Sequence, residues 1–174
     1  MAGSLIKIAE TEVTSSTASV TLTGIDTTYD VYILTVRDHQ GVNDAYSRMR
    51  VTHSGSALSS STYDFAQKYL KSDTSFADNA STSNDAYDFT STVENDTARG
   101  GANAVIWLYN FQVSGQHKYF NSVEVHNQGS TTDIRGLQGA GANSNTAVCD
   151  GVNIFMSSGN IASGKYSLYG LKKS

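Results

Sequence analysis

The sequence predicts an all-β fold: an antiparallel β-sandwich, jelly-roll-like, built from about eight to ten short strands in a single domain spanning residues 1–174. Three observations predict it. Apolar and polar residues alternate with period two over most of the chain, and no stretch carries a sustained helical period. Turn-forming Gly, Asn, Asp and Ser separate most of these runs. Ser and Thr supply 42 of 174 residues and Tyr another 10, types that suit turns and pleated half-buried surfaces, while Pro is absent.

Taken in order, Leu5 to Ala9 and Ala18 to Leu22 read as strands, and Gly24-Ile25-Asp26 as a turn. Val31 to Val36 is apolar on both faces, the pattern of a central strand covered on both sides. Ala45 to His53 splits cleanly: Tyr46, Arg48 and Arg50 point one way, and Ala45, Ser47, Met49 and Val51 the other. Tyr63 to Leu70 permits either a short helix or a strand. Residues 72–102, rich in Ser, Thr, Asn and Asp, read as a long loop excursion pinned by Phe76, Tyr87 and Phe89. Val105 to Val113 is the strongest strand, with Val105, Trp107, Tyr109, Phe111 and Val113 on one face. Ser114-Gly115-Gln116 turns it into Lys118 to His126, where Tyr119, Val123 and Val125 share a face. Ile134 to Leu137 is a short strand, Gly139 to Asn143 a loop, and Val152 to Met156 with Lys165 to Leu171 a closing pair.

Composition excludes several classes of function. With 12 basic and 16 acidic side chains the net charge is −4, and no basic cluster exceeds Lys172-Lys173, so nucleic acid is not an expected partner. No run reaches the ~18–20 apolar residues of a membrane-spanning helix, so no membrane is expected. The N-terminal residues contain no apolar stretch of secretory type, and the single Cys149 has no intrachain partner. Both point to a chain that matures in a reducing cytoplasm.

The apparent motifs fail on context. Gly159 to Tyr166 matches the phosphate-loop spacing G-x-x-x-x-G-K, but Tyr166 stands where Ser or Thr would hold magnesium. The segment from Lys165 also alternates as a strand, whereas that loop must open a helix. Gly136, Gly139 and Gly141 reverse the spacing of a dinucleotide loop. His39, His53, His117 and His126 show no metal-binding spacing, and the acidic residues from Asp73 to Asp96 lack a calcium-loop pattern. No nucleophile elbow surrounds any serine. Asp26, Asp30, Glu94 and Glu124 are carboxylates that a glycosidase reading would have to bring together. No enzyme activity, cofactor or metal is expected.

The segment Val152 to Lys172, with its Ser158-Gly159-Asn160-Ile161-Ala162-Ser163-Gly164 turn and Tyr166-Ser167-Leu168-Tyr169-Gly170-Leu171-Lys172 strand, resembles the closing hairpin of small β-sandwich virion proteins of tailed bacteriophages. Gly24 to Tyr32, Tyr109-Asn110-Phe111 and Lys118-Tyr119-Phe120 are similar to them too; residues 55–102 are not. The resemblance implies a virion protein assembled in the host cytoplasm, first of all a capsid decoration or cement protein bound to the major capsid protein. The alternative is a tail-fibre or baseplate appendage that holds a host glycan. It also implies a homo-oligomer, with a trimer favoured. The residues singled out for partner or glycan contact are Tyr46, Arg48, Arg50, Tyr87 and Phe89. Gly170 is expected to leave room for a neighbouring backbone or aromatic ring.

Overall fold

A computed structural model describes residues 4–129 and 133–172. Met1 and Lys173, which enter the leader and charge readings above, lie outside them. Alternation becomes strand nearly everywhere. The strands are β1 (Leu5–Val13), β2 (Ser19–Thr23), β3 (Val31–Gly41), β4 (Ala45–His53), β5 (Ser56–Ala57), β6 (Tyr63–Lys71), β7 (Phe76–Asn84), β8 (Tyr87–Val93), β9 (Ala102–Tyr109), β10 (Lys118–Asn127), β11 (Ile134–Asn143), β12 (Gly151–Met156) and β13 (Ile161–Leu171), with one 3-10 turn at Thr97–Arg99.

They form two antiparallel sheets. The large sheet has eight strands in the order β1-β13-β3-β9-β10-β11-β6-β7. The small sheet runs β2-β12-β4-β5, with β8 also paired to β4. The chain changes sheet at most connections, from β1 through β4, again around β8, and at β12, so the two layers of the sandwich are tied together repeatedly. The meander β9-β10-β11 widens the large sheet between its crossings. Val20, Leu22, Met49, Val51, Phe89, Val152 and Ile154 of the small sheet pack on Tyr32, Leu34, Ile106, Leu108, Phe120, Tyr166 and Leu168 of the large one. Burial of these side chains, worth about 1.5–3 kcal/mol each, holds the layers together.

Several local expectations meet the structure. Tyr63, Phe65, Gln67 and Tyr69 are buried at alternate positions, so their segment is strand β6 and not a helix. A Cβ on Gly170 would lie 2.2 Å from the Tyr29 ring, the close approach expected there. The β4 alternation holds as read.

Others are corrected. The excursion at 72–102 is mostly strand: β7 lies at an edge, exposed along most of its length, and so needs no apolar face. β8 is buried, but partly through Asp88, Thr90 and Ser91. The Gly139–Asn143 segment belongs to β11, because Gly139 and Gly141 admit Gln67 and the Tyr87 ring where any Cβ would collide. β12 and β13 are not a hairpin, since β12 pairs with β2 and β4 while β13 pairs with β1 and β3. Their turn carries the chain across from one sheet to the other. Tyr119, Val123 and Val125 do share a face of β10, as expected, and it is the outer one, with Lys118, Phe120, Ser122, Glu124 and His126 on the buried side. On β9, Ala104, Ile106 and Leu108 are buried while Val105, Trp107 and Tyr109 are only half-buried. Val31, Ile33 and Thr35 of β3 are likewise half-buried, so this central strand is covered fully on one side alone.

Candidate functional site

Alternation on β4 sends Tyr46, Arg48 and Arg50 to the outer face of the small sheet. Tyr46 is exposed, but both arginines are engaged within the chain. Arg48 Nε donates to Asp88 Oδ1 at 2.7 Å and Nη1 to Asp85 Oδ1 at 3.2 Å. Arg50 pairs with the other Asp85 oxygen, donates from Nε to the Asp85 carbonyl at 2.9 Å, and lies over the Phe155 ring at 4.4 Å. These guanidinium forks close the β4–β8 junction. Burial raises the Asp88 carboxyl above its ordinary value, and the Arg48 charge offsets that only in part.

Tyr87 and Phe89, expected to pin a loop and to contact a partner or glycan, are completely buried in a strand and present no surface to either. They sit on the inner face of β8, where Tyr87 Oη meets Ser122 Oγ at 2.6 Å and the Tyr87 ring packs edge-on against Phe65. Of the five residues singled out, Tyr46, Arg48 and Arg50 share a surface and the other two belong to the core.

Sequence reading missed a buried polar chain beneath β8. His126 Nδ1 is 2.9 Å from Glu124 Oε2, and His126 Nε2 is 2.8 Å from Ser91 Oγ. That is the acid–imidazole–hydroxyl order of a serine nucleophile relay. Its surroundings give it another role. Arg135 Nη1 donates to Ser91 Oγ at 3.1 Å, and Ser91 Oγ donates to Gln128 Oε1 at 3.1 Å. The hydroxyl is fully engaged, and Ser91, His126 and Glu124 are all buried. As folded, this chain of bonds ties β8 to β10 and β11. Burial pushes the Glu124 carboxyl up, with the hydrogen bond to His126 opposing. The sequence signal was Glu124-x-His126, two polar residues on one face of a strand.

The remaining candidates are separate. Glu94 pairs with Arg99, and Asp26 accepts from Thr28 N, so neither joins Glu124. Lys165 pairs with Glu10 and Glu12 on β1, not with a phosphate loop. His53 Nδ1 donates to the Val148 carbonyl at 2.7 Å. Burial holds the Cys149 thiol at about 11, far from a reactive thiolate. No group of three metal-ligating side chains occurs among the described residues.

The sharpest asymmetry lies between the two outer faces. The small sheet presents Ser19, Thr21 and Thr23 beside the Arg48–Arg50–Asp85 cluster. The large sheet presents Ile33, Val105 and Trp107, half-buried, beside Tyr119, Val123 and Val125, each nearly half exposed at 47–48%. A shallow depression of about 410 Å³ between β3, β9 and β10 is lined by Thr35, Val105, Val123 and Val125, with Arg37 and Asn103 beside it.

No protein-family model matches this chain, and no curated protein matches it by sequence.

Proposed function

We propose that this chain is a structural protein of a tailed-phage virion, a decoration or cement module that binds the head surface through the outer face of its large sheet. The observation that carries the reading is the contrast between the two outer faces. One is mainly hydroxylated and ion-paired; the other is mainly apolar, with Val105, Trp107, Tyr119, Val123 and Val125 around Asn121 and Gln138, a surface of the kind that marks a contact site. Resemblance of the closing segment to phage sandwich proteins supplies the virion context, and that segment forms β12 and β13, one strand inside each sheet. The tail-appendage alternative drew on Tyr87 and Phe89 as glycan-stacking aromatics, and their burial favours the head reading.

Quantitative mass spectrometry of purified virions tests it. A decoration protein is present in hundreds of copies per particle, as its site recurs across the shell. A few to a few tens of copies would move it to the tail, and absence from virions would overturn both assignments.

A further inference from the structure

We infer that one end of the sandwich holds a saccharide site, a depression between the β2–β3 and β9–β10 connections that takes one ring of a neutral sugar against Tyr29. It shares no lining residue with the depression on the large sheet, so it goes beyond the head-binding reading and does not depend on it.

The depression measures about 360 Å³, toward the lower end for small-molecule sites, and its lining mixes aromatic rings with amides and hydroxyls. Tyr32 and Phe111, both 2% exposed, line its buried side. Tyr29 is half-buried and walls it. A Cβ on Gly170 would stand 2.2–2.5 Å from three consecutive carbons of the Tyr29 ring, Cγ, Cδ2 and Cε2, so Gly170 lies under one face of that ring. Tyr32 meets the ring at 89°, with centroids 5.7 Å apart. Tyr29 also lines a second hollow of about 400 Å³ with Ile6, Thr28 and Lys172, and so stands as a ridge between the two.

The connections around it are already fixed. Gln112 Nε2 donates to the Ile25 and Cys149 carbonyls, both at 2.9 Å, which ties the β9–β10 connection to its neighbours. Tyr32 Oη donates to the Asp26 carbonyl at 2.7 Å and accepts from Asp26 N at 3.0 Å. Asn110 takes a φ of 63°, and its carbonyl accepts from Val113 N at 3.0 Å to close the turn after β9. A site ordered in advance spends no binding free energy on ordering its loops. The polar groups left over set the ligand class. Gln112 uses its amide nitrogen, so Oε1 stays an acceptor. The Asn110 amide and the Thr27 and Tyr29 hydroxyls have no hydrogen-bond partner among the described residues either. Donors and acceptors thus gather beside one aromatic ring. That suits a pyranose, whose C–H face lies on the ring while its hydroxyls meet the polar groups. A nucleobase fits less well, since it binds by stacking on aromatic faces, and Tyr32 and Phe111 are too deeply buried to offer another. The Asp30 carboxylate in the lining disfavours phosphorylated and acidic sugars.

Saturation-transfer NMR on the intact chain tests the site with glucose, galactose, mannose, rhamnose, N-acetylglucosamine and N-acetylgalactosamine, each at about 10 mM, which populates a site of millimolar affinity. At least one of them is expected to receive saturation. For that sugar, Tyr29→Ala removes the ring and is expected to weaken binding about tenfold. Asn110→Gly keeps the positive φ, which glycine adopts freely, and removes only the amide. It is expected to weaken binding about threefold to tenfold, and it gives the readout should Tyr29→Ala fail to fold. Val123→Glu, on the outer face of the large sheet, is expected to bind as the parent does. Saturation of none of the six sugars overturns the inference, as does binding that neither site variant weakens. Glucose 6-phosphate is expected to receive none, and its binding in place of the six overturns the choice of a neutral ligand. A chain that binds sugar but is absent from virions overturns the phage reading alone, whereas one abundant on heads that binds no sugar overturns this site alone.

Discussion

The imidazole of His39 is buried against Tyr166 and Phe89, its Nδ1 meets the Tyr166 hydroxyl, and burial holds its pKa at about 3 against an ordinary 6.5. The unfolded chain therefore takes up a proton near 6.5 that the folded chain refuses until near 3. Stability contributed this way is complete above about 6.5 and is lost as the pH falls, by about 3 kcal/mol between pH 7 and pH 4. Denaturant midpoints at those two values should show the loss, and His39→Gln should flatten it. Glu124 has the opposite sign. Burial raises its carboxyl above the ordinary 4.5, so stability is complete below that value and declines as pH rises through the folded pKa. As the pH is raised from 4 to 7, Glu124→Gln should therefore gain more stability than the parent, read by the same titration. Lys118 is fully buried with Nζ donating to the Val113 and Gln116 carbonyls, both at 2.7 Å, which closes the turn between β9 and β10. Lys118→Met leaves those carbonyls without their donor and should cost about 1–3 kcal/mol in chemical denaturation.

At the level of the strand, the sequence is readable where one face is apolar and the other polar. β4 satisfies that condition, and its inward set is legible residue by residue, whereas the aromatic spacing in β6 also fits a helical turn and only the structure settles it as strand. β9 does not satisfy the condition. Val105, Trp107 and Tyr109 are as apolar as Ile106 and Leu108, and a period of two cannot say which set goes inside. β10 inverts the rule, because its inner face lies under Ser91 and Tyr87 of β8 and is completed by Ser122, Glu124 and His126. Those polar groups are paired with one another across the two sheets, and only coordinates reveal the pairing. β7 and β8 were hidden for a related reason, since neither an exposed edge strand nor one with hydroxyls inside carries an apolar stripe. The site was legible only in part: the outward set on β4 could be read, whereas the burial of Tyr87 and Phe89 depends on which way β8 turns. Gly170 was legible as a close approach, and Gly170→Ala should lower thermal stability by about 1–3 kcal/mol through collision with the Tyr29 ring. A melting curve checks it.

Across the whole molecule, the apolar residues that share a face on β9 and on β10 form the outer surface on which the functional reading stands. The sandwich builds its core without them, from both sheets. Trp107, the single tryptophan of the chain, sits in the middle of that surface and is half-buried. Its fluorescence therefore reports contact at the large sheet without a label. Acrylamide quenching of Trp107, followed as purified virion heads are added, should fall as the face is covered. In Val123→Glu it should stay at the level of the free chain. Quenching that heads leave unchanged would show that Trp107 remains open to solvent, and would contradict contact through the large sheet.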